Sequence, residues 1–151
     1  MDEEDYCSAL KSALASKREE LVIKFSTLME HLPAKTVDIG IGIHTGQDPD
    51  GSFTVMAHLG GPDLYALNKA VEQHRTLFEV PRNALGKPPL ELPFLDSFDE
   101  SFEVGDVLVD EVANWLVSVC SNVDRHGFEG PIRAYGGDAY GTKSEWILKS
   151  A

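Results

Sequence analysis

The chain has 151 residues, 42% of them hydrophobic, which suits one domain long enough to bury a real core. Its 25 acidic residues outnumber 13 basic ones for a formal net charge of −12, so nucleic-acid phosphates and anionic lipid are repelled at long range and a basic or neutral partner is favoured. Cys7 and Cys120 have neither C-x-x-C nor metal-ligand spacing and each falls in a helical pattern among apolar residues, so they read as two buried thiols in a reducing cytosol.

Met1-Asp2-Glu3-Glu4-Asp5 is acidic where a secretory signal is basic and then apolar. No window approaches the roughly 18 uninterrupted apolar residues of a membrane span, and a soluble, cytoplasmic protein is expected. Leu10, Leu14, Leu21, Phe25, Leu28 and Leu32 recur at helical spacing among Lys11, Lys17, Arg18, Glu19, Glu20 and Lys24. This predicts one long amphipathic helix over residues 2–32, with acids at its positive end and Pro33 as its stop.

Residues 37–59 carry the clearest signal in the chain. Val37, Ile39, Ile41 and Ile43 alternate with Asp38, Gly40, Gly42 and His44, and Phe53, Val55, Ala57 and Leu59 alternate with Thr54, Met56 and His58. Asp48-Pro49-Asp50-Gly51 between them has the pattern of a type I turn followed by a left-handed glycine. Such a loop sets Asp48 opposite Ser52, Ile43 opposite Ala57 and Ile41 opposite Leu59, with both apolar rows on one side.

Gly60-Gly61-Pro62-Asp63 breaks the second strand, and Pro62 suits the first position of a helix reaching about Phe78 on the line Leu64, Leu67, Val71 and Phe78. Residues 81–103 hold Pro81, Pro88, Pro89 and Pro93 and show no sustained period, which predicts a long loop pinned by Phe94, Phe98 and Phe102. Leu108, Val112, Trp115, Leu116, Val119 and Val123 predict a helix over 106–123 with Asp106 as its N-cap. Residues 132–135 and 144–148 read as a second hairpin around Gly136-Gly137-Asp138-Ala139-Tyr140-Gly141-Thr142. The order helix, two strands, two helices, two strands implies an α+β two-layer sandwich, a single domain over 1–151 with helices on one face of a mainly antiparallel sheet built from two hairpins. Its expected core is Leu14, Leu21, Phe25, Val37, Ile39, Ile41, Ile43, Phe53, Val55, Leu59, Leu67, Val112, Leu116 and Val119.

Candidate chemistry is sparse. His44 and His58 project from the face opposite the isoleucines and lie within reach of one another, but a metal site needs a third or fourth ligand and Asp38 is the only acid that face supplies. Neither metal nor organic cofactor is expected. Asp48-x-Asp50-Gly51 lacks the distal Glu of a calcium loop, where Leu59 stands instead, and Gly40-x-Gly42 has no third glycine or helix start after it. The two glycines leave a bare strip on the outer face of the first strand. No G-x-S-x-G elbow occurs and neither Cys has a His at suggestive spacing.

Charge distribution is more informative. Between Lys87 and Arg125 there is no basic residue, while Glu91, Asp96, Asp99, Glu100, Glu103, Asp106, Asp110, Glu111 and Asp124 are acidic and interleaved with Phe94, Phe98, Phe102 and Trp115. A negative field with apolar anchors is what a protein-binding surface offers, and the alternative is a merely solubilising face. The segment Gly61-Pro62-Asp63-Leu64-Tyr65-Ala66-Leu67-Asn68-Lys69 and the closing Ala139-Tyr140-Gly141-Thr142 resemble parts of an uncharacterised bacterial domain family of about this length. In general character the chain is also similar to immunity proteins of bacterial toxin systems, which are small, acidic, cytoplasmic domains that neutralise a cognate toxin. That resemblance implies a non-catalytic domain whose partner is a basic toxin domain. Its contact surface is expected at Asp96, Phe98, Asp99, Glu100, Glu103, Asp106 and Asp110, and the competing expectation is an enzyme of unrecognised type acting on a small molecule.

Overall fold

Ile39, Ile41 and Ile43 stand at alternate positions of β1 (Asp38–His44), and all three are fully buried in the computed structural model, which describes residues 1–151. β1 pairs antiparallel with β2 (Phe53–Gly60), whose Phe53, Val55, Ala57 and Leu59 are buried on the same side. Ile43 lies opposite Val55 and Ile41 opposite Ala57, a register two residues away from the one the turn pattern predicts. The ladder stops at His44 because Asp50 turns the backbone with its side chain, Oδ1 accepting from Ser52 N at 2.9 Å, while Gly46 and Gly51 adopt φ of 81° and 102°. A shift of two preserves every inward and outward assignment, so the apolar rows still coincide.

The sheet has five strands in the order β3-β2-β1-β4-β5 and is mostly antiparallel, making the fold α+β. β4 (Ile132–Gly136) and β5 (Trp146–Lys149) form the expected second hairpin, but β4 lies parallel to β1. β3 (Thr76–Val80) begins within the residues assigned above to the end of a helix, Thr76 to Phe78. That helix, α3 (Leu64–Ala70), is one short element capped by Asp63, whose carboxylate accepts from Ala66 N at 3.0 Å, so Pro62 lies outside it. β3 shows no alternation because a ladder irregularity at Val55/Met56 lets adjacent Leu77 and Phe78 both be buried.

The first helix is two. α1 (Glu3–Ser16) and α2 (Arg18–Glu30) meet at Lys17, which leaves helical geometry. An unbroken helix over 2–32 would run about 46 Å, longer than a domain of this size is wide. Breaking at Lys17 lets α1 pack on α4 (Val104–Cys120) while α2 packs on β3. α4 begins two residues before the predicted cap, so Glu103 is at the N-cap position, without a side-chain capping bond, and Asp106 lies within the first turn. Its Leu108, Val112, Leu116 and Val119 are buried with Leu14, Leu21, Phe25 and Leu67 in one core. Val37 is the exception, lying outside β1 and 59% exposed. No helix is long and apolar enough to cross a membrane.

Ile41→Ala is expected to cost about 2 to 5 kcal/mol because the site is closed on all sides, whereas Val37→Ser should stay within about 0.5 kcal/mol. Chemical denaturation of the two variants checks both.

Candidate functional site

Asp96, Asp99 and Phe98 lie on the 81–103 loop, which Leu85, Leu92 and Leu95 anchor in the core and Leu95 N ties to Asp50 O at 2.9 Å. Phe102 packs inward on Tyr6 with ring centres 5.7 Å apart. The other two phenylalanines are not anchors: Phe94 is 54% exposed and Phe98 82%. Asp96 accepts from Phe98 N at 3.0 Å and its own N donates to Glu100 at 3.1 Å, which rigidifies the turn presenting Phe98. Glu100 is mostly covered and lies 3.6 Å from the N-terminal ammonium. Asp99 and Glu103 are exposed.

Asp106 and Asp110 have a different occupation. Asp106 accepts from Gly141 N at 2.9 Å, and Asp110 accepts from Thr142 N and Oγ1, both at 2.8 Å. They clamp the β4–β5 connection, in which Asp138 and Ala139 hold φ of 54° and 62°. Two successive left-handed non-glycine residues cost about 1 kcal/mol or more each, so this turn persists only because its flanks are held. Tyr140 adds a third tie by donating to Gln47 O at 2.7 Å. Its phenol is pushed above its ordinary value by partial loss of hydration and then by Asp138, Asp48, Asp106 and Glu103. Carboxylates from three separate segments, the β1–β2 loop, the start of α4 and the β4–β5 turn, thus converge on one end of the sheet.

That convergence continues into a hollow of about 260 Å³ walled by Phe94, Phe98, Asp48, Asp50, Asp96 and Arg82. Asp48, Asp50, Asp138 and Arg82 belong to this surface and lie outside the acidic run, so sequence reasoning missed them. The only hint was the Asp48-Pro49-Asp50 turn, which presents acids wherever its tip is carried.

A second polar cluster occupies the outer face of the sheet. His44 and His58 stand four positions apart across the β1–β2 ladder, yet their Nε2 atoms are 3.0 Å apart. The rings can lean together because nothing projects at Gly42, where a Cβ would run into His44 and lie 3.1 Å from the Tyr135 hydroxyl. Arg75 donates from Nη2 to His58 Nδ1 at 2.9 Å and from Nε to Ala57 O at 3.0 Å. Arginine has no acceptor, so His58 Nδ1 must offer its lone pair and its proton resides on Nε2. His58 Nε2 then donates to His44 Nε2, leaving the His44 proton on Nδ1. Both rings are neutral while the chain of bonds is intact, and His58 Nε2 is not available to a metal. No group of three or more metal-ligating side chains exists; Asp38, the acid the sequence offered, pairs instead with Arg133 at 3.6 Å.

Burial holds both imidazoles below their ordinary value, with Asp138 opposing it at His44 and Arg75 and His44 reinforcing it at His58. Cys120 is buried, whereas Cys7 is only half-buried. Burial pushes the Cys7 thiol up to about 11, with Glu111 adding repulsion, and Cys120 is also raised, so both are protonated at neutral pH and poor nucleophiles.

Below the ordinary histidine value of about 6.5 the unfolded chain takes up protons that the folded pair refuses. Stability should therefore fall as pH drops from about 6.5 through the depressed folded values and level off beneath them. A His44→Gln/His58→Gln double variant should show a flatter denaturation midpoint between pH 7.5 and 5.5, and nitrogen NMR of the wild type at pH 7.5 should find the Nε2–H tautomer at His58 and the Nδ1–H tautomer at His44.

No curated protein and no solved structure matches the chain. A family model does match over residues 1–150, and the chain belongs to that family of unknown function, DUF6389.

Proposed function

We propose that the chain is a non-catalytic binding domain for a basic protein, acting in the bacterial cytoplasm as an immunity protein that neutralises a cognate toxin. The supporting observation is Phe98, 82% exposed on a hydrogen-bonded turn beside Asp96 and Asp99. Large exposed aromatics cost solubility in a free protein and supply hot-spot energy in a complex. The contact surface on this reading is Phe94, Phe98, Asp96 and Asp99, extended by Glu103 and Asp48. Asp106 and Asp110 contribute field while their carboxylates hold the β4–β5 turn, whereas Glu100 is paired with the N-terminal ammonium and contributes less.

A second reading, an enzyme acting on a small molecule, draws on the oriented Arg75–His58–His44 chain beside the strained Asp138–Ala139 turn. It is less favoured because the five principal hollows of the surface are lined by residues other than His44 and His58. On that reading His44→Gln abolishes turnover, and on the binding reading it leaves partner affinity unchanged.

The test is co-expression with the product of the adjacent gene, capture of the complex and measurement of both rate constants at two salt concentrations. Asp96→Asn/Asp99→Asn/Glu103→Gln should slow association roughly tenfold at low salt and flatten its salt dependence. Phe98→Ala should raise the dissociation rate about thirtyfold, the equivalent of about 2 kcal/mol. Unchanged rates in both variants would mean that the acidic run only solubilises the chain, and the outer face of the sheet, where His44, His58 and Tyr135 cover Gly40 and Gly42, would become the surface to test.

A further inference from the structure

The hollow beside Phe98 already holds a guest of its own. The Arg82 guanidinium lies 5.1 Å from the centre of the Phe94 ring, and Arg82 Nε lies 3.5 Å from Asp50 Oδ2. The two sides of this contact differ in how firmly they are built. Asp50 is fixed: its Oδ1 accepts from Ser52 N at 2.9 Å and Ser52 Oγ at 2.5 Å, and its carbonyl accepts from Leu95 N at 2.9 Å. With Oδ1 so occupied, Oδ2 is the oxygen offered to the hollow. Arg82 is loosely held, on a single 3-10 turn (Arg82–Ala84) with its side chain 72% exposed. An exposed ion pair of this length contributes little to the fold.

Charge in the hollow is unbalanced in the direction of a cation. Asp48, Asp50 and Asp96 line it against Arg82 alone, and Phe98 forms a further wall. An aromatic face beside a fixed carboxylate suits a planar guanidinium, which can stack and donate hydrogen bonds at once, better than an ammonium. We propose that this hollow is the receptor for an arginine side chain of the basic partner, and that Arg82 is a placeholder which that side chain displaces. The proposal rests on the binding reading above and adds the partner group and its seat. Exchange of one guanidinium for another leaves the local charge unchanged, so binding does not desolvate an unpaired carboxylate.

The experiment titrates the full chain with acetyl-Gly-Arg-Gly-amide and with the same peptide carrying citrulline, which keeps the planar shape but loses the charge, while the Phe94 and Phe98 ring signals are followed by NMR. The arginine peptide should move both rings and the citrulline peptide should not. Arg82→Ala should tighten the arginine peptide about threefold by removing the internal competitor. Asp50→Asn, which can still accept from Ser52, should weaken it by a similar factor. Equal responses to the two peptides, weaker binding by Arg82→Ala, or shifts confined to the Tyr140 end of the sheet would overturn the assignment. A wild-type complex with the natural partner that forms normally while the arginine peptide leaves Phe94 unmoved would discard the receptor and keep the binding reading.

Discussion

β1 and β4, far apart in the chain, lie side by side and parallel, and the acidic end of the sheet depends on that pairing. A parallel connection has to cross over the sheet, and here the return path includes α4 packed on the inner face. The carboxyl ends of β1 and β4 are thereby neighbours, with His44 beside Gly137 and the Tyr140 hydroxyl on Gln47. Acids from the β1–β2 loop, the start of α4 and the turn after β4 meet only because these strands are adjacent.

Much of the fold was legible in the sequence because period-two and period-3.6 burial leave marks on adjacent residues. The faces of β1 and β2 could be read from their isoleucines and from Phe53 to Leu59, and the register could not, since Asp50 ends the ladder with a side-chain bond that no hydrophobic pattern records. β3 was illegible because Leu77 and Phe78 are both inside, the result of an irregularity in its partner strand. The break at Lys17 follows from the width of the domain, a global quantity invisible in a local window. The acidic run could be read as composition, but its division of labour could not: Asp106 and Asp110 are spent on a turn more than thirty positions away along the chain.

That division does not weaken the field. A carboxylate satisfied by backbone N–H groups keeps its full negative charge, whereas one paired with lysine or arginine is largely neutralised at a distance. Ion pairs with Lys11, Lys17, Lys24, Arg75 and Arg133 engage Glu111, Glu20, Glu72, Asp38 and Glu145, and at the Phe98 turn and its hollow only Glu100 and Asp50 are paired, with the N-terminal ammonium and Arg82. The end of the sheet is held largely by neutral donors, so the same side chains can maintain a strained loop and still attract a cationic surface.

Beyond Thr76 the edge of β2 has no strand beside it. Leu59 N donates there to Asn68 Oδ1 at 2.8 Å and Leu59 O accepts from Asn68 Nδ2 at 3.1 Å. One side-chain amide imitates a residue of a neighbouring strand and occupies the groups that another chain would need to add itself to the sheet. A stretch of β2 that outruns its neighbour β3 is thus closed to strand addition, and a single asparagine on α3 closes it.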